Sequence, residues 1–281
     1  MEPLAEFKRM VLGLPHSAKD YASVAFTAEL ADLLGLDLLG IFAEDEGLAD
    51  LALLPCVREF RLAGDGWHRL DVEQLARSSS QAAADARRLF SDAAKPLRVA
   101  ARFDLVKGQI DKAVGSRTMP NDIIVVIEPK SAAERVCYQF RQFVDMALNA
   151  PVATLLVPSR ISRHKGPVVA LAASAHDVSV LVGLRVAEAV REKLLVLTPN
   201  IADEVLSAGF LTSSAVHVDQ RSLPSTELGP AELGSILAAA GGRLVVMSPG
   251  ADNLLPSRLA SERGVPVLVT ARREPFSRSV D

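Results

Sequence analysis

The residues of this chain that could do chemistry gather in short polar runs at the ends of apolar segments. Pro15-His16-Ser17 follows the first such segment, and Ala172-Ala173-Ser174, with His176 and Asp177 just behind, follows a later one. Lys107-Gly108 closes "LRVAARFDLV", Glu128-Pro129-Lys130 closes "NDIIVVI", and Ser248 and Gly250 close "RLVVM" ahead of Asn253. A histidine beside a serine and an aspartate, as in His16-Ser17-Asp20 or Ser174-His176-Asp177, invites a nucleophile–base reading. Catalytic triads, however, are assembled from distant segments, because neighbouring side chains rarely aim at one another in line. Neither group carries a Gly-x-Ser-x-Gly elbow, and no catalytic residue is assigned. His16, His68, His164, His176 and His217 lack the paired spacing of metal ligands, and Cys56 and Cys137 form no metal or redox motif, so no metal site is expected.

The serines also have a plainer role. Ser17 can cap a helix beginning at Ala18, and Ser174 or Asp177 the next one, since a side-chain oxygen accepts from the free N–H groups of a first helical turn. In parallel α/β sheets, ligands gather at the carboxyl ends of strands. That rule selects His16, Ser17, Glu128 and Lys130 in the first half of the chain, and Ser174, His176, Ser248, Gly250 and Asn253 in the second. Lys107 ends a strand as well and would face the first of these clefts, or else be solvated. Ligand pocket and helix capping both remain open at this level.

The elements that must position these residues follow from composition and periodicity. A chain of 281 residues, 49% hydrophobic and 23% charged, is globular and long enough for two domains of ordinary size. Aromatic residues make up only 5%, which leaves few stacking platforms for single-stranded nucleic acid, and a net charge of -3 gives no electrostatic reason to expect DNA or RNA. The basic cluster Arg160, Arg163, His164 and Lys165 reads as a solvated linker. No apolar run approaches the ~20 residues needed to cross a bilayer, and the N-terminus has no signal-peptide core. The expectation is a cytoplasmic protein with reduced thiols and no nucleic-acid or membrane partner.

Apolar, strand-like runs alternate with helical periodicity, and the alternation passes through twice. The first pass predicts strands over 9–14, 36–45, 97–106, 121–128 and 151–158. Its helices fall over 18–34, 72–94, 109–117 and 132–148. The second predicts strands over 168–172, 193–198, 215–218, 243–247 and 266–270, with helices over 178–191, 201–208, 230–240 and 253–263. Strands that are apolar throughout and separated by helices imply a parallel sheet covered on both faces, here a doubly wound α/β sheet in each pass. Two domains follow, 1–160 and 166–281, with the boundary in "SRISRHKG".

One segment, residues 47–71, has no counterpart in the second pass, and a connection of that length is either functional or disordered. It holds the only Trp, Trp67, and "REFRL" and "WHRLD" flank a Gly64-Asp65-Gly66 turn in the manner of a β-hairpin. Cys56, Arg58, Glu59 and Trp67 form either a lid or partner surface, or Trp67 and Phe60 simply pack the hairpin onto the sheet.

Two five-stranded passes of this size resemble a tandem universal stress protein. The first opens on "KRMVLGL" and closes on "APVATLLVPS"; the second opens on "GPVVALA" and ends with "RLVVMSPG" and "GVPVLVT". The resemblance covers nearly the whole chain apart from 47–71. It implies two Rossmann-like α/β domains joined through their fifth strands, Val152–Val157 and Val265–Val269, as an internal pseudo-dimer. In that family the nucleotide-binding members carry an Asp after the first strand and a glycine loop after the fourth, where backbone N–H groups and a helix N-terminus meet phosphate. Here Pro15-His16-Ser17 and Ala172-Ala173-Ser174 lack the Asp. Glu128-Pro129-Lys130 replaces the glycines in the first half, and only Gly250 survives in the second.

The resemblance therefore implies a non-catalytic universal-stress-type protein with a stress-response or regulatory role, its usual ATP binding lost. No cofactor is assigned, and an adenine nucleotide could be held only outside the family's pattern. The alternatives are a small-molecule or nucleotide sensor with its ligand under the 47–71 lid, or an enzyme of unassigned reaction. A protein partner is also open.

Overall fold

The computed structural model describes residues 7–14, 21–44, 50, 54, 56–61, 66–69, 71–173, 177–199, 216–224, 229–250 and 254–271. The first pass builds strands β1 (Arg9–Leu14), β2 (Asp37–Glu44), β3 (Arg58–Arg61), β4 (Gly66–Arg69), β5 (Ala101–Lys107), β6 (Asp122–Ile127) and β7 (Ala153–Val157). Its helices are α1 (Tyr21–Leu34), α2 (Val72–Ala94), α3 (Ile110–Gly115), α4 (Ala132–Val136) and α5 (Tyr138–Asn149). The second pass builds β8 (Val168–Leu171), β9 (Leu194–Thr198), β10 (Val218–Ser222), β11 (Leu244–Met247) and β12 (Val267–Val269). With them come helices α6 (Val178–Val190), α7 (Pro230–Ala240) and α8 (Leu254–Arg263).

Ten strands form one sheet in the order β10-β9-β8-β11-β12-β7-β6-β1-β2-β5, while β3 and β4 pair apart from it. Each run of five has its third, second, first, fourth and fifth strands side by side, so both passes share one topology. All neighbours within a run are parallel. The runs meet where β12 pairs antiparallel with β7, placing Leu268 opposite Leu155. This is an α/β fold with a large, mostly parallel sheet, as the alternating pattern predicts.

Both faces of the sheet are buried. On one, Phe26 and Leu30 of α1, Phe90 of α2 and Val180 and Val186 of α6 share a core that runs across both passes. On the other, Val114 of α3, Phe143 of α5, Leu237 of α7 and Leu259 of α8 do the same. The central strands β1, β6, β7 and β11 are apolar at nearly every position because each residue meets a helix layer whichever way it points.

Several boundaries depart from the sequence pattern. The single helix expected over 132–148 is two: Cys137 is extended (φ −66, ψ 147) and separates α4 from α5. The third strand begins at Ala101 rather than at Leu97. In the second pass the third strand is Val218–Ser222, not 215–218; it is a polar sheet edge, and its hydrogen bonds to β9 replace the apolar signal that would announce it. The helix expected over 201–208 lies outside the described residues. The basic linker is strapped down rather than loose. Ser162 donates its N–H to the Gly264 carbonyl (2.7 Å) and its hydroxyl to that of Arg263 (3.1 Å), at the end of α8.

Candidate functional site

At the carboxyl ends of the first-pass strands lies a cleft of about 270 Å³, floored by Leu14 of β1, Ala43 of β2 and Ile127 of β6. Gly108, Gln109, Ile110 and Asp111 close one side, and Pro129, Glu134, Cys137, Gln139, Phe140, Gln142 and Phe143 close the other. Three local features open it. Gly108 (φ 111) turns the chain from β5 into α3. Gly13 carries no side chain, and a Cβ there would lie 2.5 Å from Phe143 Cζ, so the glycine is what lets α5 approach the sheet. The break at Cys137 swings α5 away from α4 and brings Phe140 and Phe143 onto the cleft. The walls are chiefly apolar, and the polar rim consists of glutamine amides and two half-buried carboxylates, Asp111 and Glu134.

Glu128 stands between two cleft residues, Ile127 and Pro129, yet does not line the cleft. Its side chain is 3% exposed and is directed toward α8 of the second pass instead. Its Oε1 accepts a long hydrogen bond from Ser257 Oγ (3.4 Å), and its Oε2 is buried without a partner. Burial pushes this carboxyl up to about 7, against the opposing pull of the Ser257 hydroxyl and the Arg135 guanidinium. The sequence places Glu128 in the ligand cleft; the structure turns it into the seam between the passes. Lys130 and Lys107 are both exposed, and neither lines the cleft.

The matching ends of the second-pass strands are tied together by Asp177. Its Oδ1 accepts from Ser248 Oγ (2.5 Å) and from Ser179 N–H (2.9 Å), and its Oδ2 from Ala173 N–H (3.0 Å). Ser179 in turn donates its hydroxyl to the Leu171 carbonyl (2.8 Å), and Ser248 also lies 3.4 Å from the Thr270 hydroxyl. Asp177 is thus the cap of α6 and a clamp on β8 and β11 at once, and Ser248 is engaged in that clamp. Gly250 is exposed. His16, Ser17, Ser174, His176 and Asn253 lie outside the described residues.

No family model matches the sequence, and no curated protein matches it either. Solved structures do. A universal stress protein from Archaeoglobus fulgidus DSM 4304 matches at a TM-score of 0.62 and 11% identity, over 94% of this chain and 97% of that one. A Pseudomonas aeruginosa UCBPP-PA14 protein assigned to the universal stress proteins matches at 0.51 and 11%, over 95% of this chain and 94% of its own. A functionally unknown protein, PA1789 from Pseudomonas aeruginosa PAO1, matches at 0.52 and 11%, over 96% and 94%. The fold is that of a universal stress protein.

On this universal stress protein fold, the inserted segment forms the expected hairpin: β3 pairs antiparallel with β4, and Phe60 stands opposite Trp67. Their rings meet edge to face at 5.4 Å, but Phe60 is 55% and Trp67 66% exposed. The pair therefore does not pack the hairpin onto the sheet; each aromatic covers the other and leaves its outer surface to solvent. Nor do the described hairpin residues line the cleft, so the lid expected from Cys56, Arg58, Glu59 and Trp67 does not cover it through them. Cys56 and Arg58 are exposed and Glu59 is half-buried. Among the described residues no three His, Cys, Asp or Glu side chains converge as metal ligands, and no helix is long and apolar enough to cross a membrane.

Sequence reasoning selected polar strand ends and so missed Leu14, Ala43, Ile110, Phe140 and Phe143. The available signal was positional, since Leu14, Ala43 and Ile127 all sit at or beside the carboxyl ends of predicted strands. Phe140 and Phe143 gave no such signal, because they reach the cleft only through the break at Cys137.

Proposed function

We propose that this chain is a non-catalytic regulatory or stress-response protein, working in the cytoplasm, whose universal-stress-type scaffold no longer holds ATP in the usual way. Pro129 carries the reading. It forms a wall of the first-pass cleft where the family's glycine loop would present N–H groups to phosphate, and proline has no N–H to give. The nearest polar side chains of the cleft are carboxylates and amides. In the second pass, Asp177 engages the N–H of Ala173 and the hydroxyl of Ser248, groups that a ligand at those strand ends would need.

The same reading treats residues 1–160 and 166–281 as two units packed as an internal pseudo-dimer. Their identical strand order and the β7–β12 pairing support it. Cys56 and Cys137 are free and exposed, which suits a reducing compartment. The test is melting temperature with magnesium-ATP, AMP and cyclic nucleotides at millimolar concentration. A nucleotide held about 100-fold above its Kd would raise Tm by about 5 °C; no rise is expected. A rise of that size with ATP would overturn the proposal.

A second reading, a small-molecule sensor, is favoured by the apolar cleft itself. A preformed concave site with few polar groups is the usual form of a small-molecule pocket.

A further inference from the structure

The walls of the first-pass cleft specify more than the absence of phosphate. Its body is apolar: Leu14, Ile110, Ile127, Pro129 and Phe140 face the space with Phe143 behind them. Its lining carries two carboxylates, Asp111 in the first turn of α3 and Glu134 in α4. Among the described residues no lysine or arginine lines the cleft. Both carboxylates are half-buried, so a charge brought beside them is partly shielded from water and its attraction exceeds that of a fully solvated pair. An anion entering here would lose hydration, and the charged side chains lining the cleft are both carboxylates. A cation would be attracted by both carboxylates while its apolar part replaced water against the floor. At about 270 Å³ the cleft stands at the small end of the range for ligand sites, the size of one or two fused rings.

We propose that this cleft binds a small organic cation with an apolar body. The ring is seated between Leu14, Ile110, Pro129 and Phe140, and the ammonium lies at Asp111 and Glu134. The inference rests on the reading that ATP has been lost from the same place, and it gives that vacated scaffold a ligand of opposite charge.

Three probes sharing one ring system separate shape from charge: tryptamine, 3-methylindole and indole-3-acetate, cationic, neutral and anionic at neutral pH. Equilibrium dialysis against the full-length protein should hold tryptamine about fivefold more tightly than 3-methylindole, and indole-3-acetate most weakly. In the Asp111→Asn/Glu134→Gln double variant the tryptamine advantage should fall to about one, with 3-methylindole unchanged. Filling the cleft with Ile110→Trp should abolish binding of all three. Ala43→Leu, which fills it from the sheet side, repeats the test should the first variant fail to fold.

Indole-3-acetate binding as tightly as tryptamine would overturn the proposal, as would tryptamine binding that survives in a folded, filled variant, or no tryptamine binding at all. A parallel magnesium-ATP arm keeps the two readings apart. ATP binding that is lost in the filled variant refutes the proposed loss of ATP, whereas failure of both ATP and tryptamine to bind refutes only the organic-cation site.

Discussion

Glu128 shows how far one residue's role can move between sequence and structure. As a carboxylate at a phosphate-loop position it reads as a repellent of ATP; in the fold it is a buried acid between β6 and α8, with one oxygen unpartnered. Burial raises its pKa from 4.5 to about 7, so the folded protein keeps a proton that the unfolded chain releases. Between those two values the unfolded state binds fewer protons, and stability falls as pH rises. The contribution is complete below about pH 4.5 and lost as the pH passes through about 7. Glu128→Gln keeps the shape without the charge. It should raise stability at pH 8 by on the order of 1–3 kcal/mol and flatten the dependence between pH 5 and 7 that this residue contributes, as urea unfolding across that range would show.

At the scale of elements, the approach of α5 to the sheet depends on a missing side chain. Gly13→Ala would place a methyl group 2.5 Å from Phe143 Cζ. The ring, 4% exposed, has little room to retreat. The variant should lose about 1–3 kcal/mol in urea unfolding, and adding Phe143→Leu should restore part of the loss, the mark of two residues in contact. Gly40 serves the opposite face in the same way, where a Cβ would meet Phe90 at 2.8 Å. The β3–β4 hairpin is the contrasting case. Because Trp67 is 66% exposed and its ring meets that of the likewise exposed Phe60, Trp67→Ala should shift stability by no more than about 0.5 kcal/mol. A Tm drop of several degrees would show that the hairpin does brace the fold.

At the scale of the molecule, the seam between the passes is more than the β7–β12 ladder. Helices α1 and α6 pack across it, α8 lies against β7, and Ser257 reaches Glu128. Just past β7, Ser23 of α1 donates its hydroxyl to the Pro158 carbonyl (3.1 Å). The linker is held to the end of α8 by Ser162. Separating the passes would expose β7 as an apolar edge strand, a template for pairing with another chain. Residues 1–160 and 166–281 expressed as two chains should therefore co-purify as a one-to-one complex by light scattering, and 1–160 alone should self-associate. Two stable monomers would show that the seam is not what the strand order implies.

The alternation of apolar runs and helical periods determined the α/β class, the repeated five-strand order and most helix bounds, α2 and α7 to the residue. These are local properties: burial on both faces demands apolar strands, and helix ends follow from nearby caps and turn residues, such as Gly241 (φ 68) after α7. Position 128 was legible as non-glycine, and Asp177 as a cap, for the same reason. Tertiary structure alone decided what Glu128 meets, because only the folded sheet brings α8 of the second pass against it. It alone decided that the helix over 132–148 breaks at Cys137, where no Pro or Gly stands, and that Phe140 and Phe143 thereby wall an apolar cleft. It alone left Phe60 and Trp67 exposed on a hairpin that pairs only with itself. A cleft is made of surfaces from five separate segments. Its charge and shape belong to none of them until the sheet brings them together.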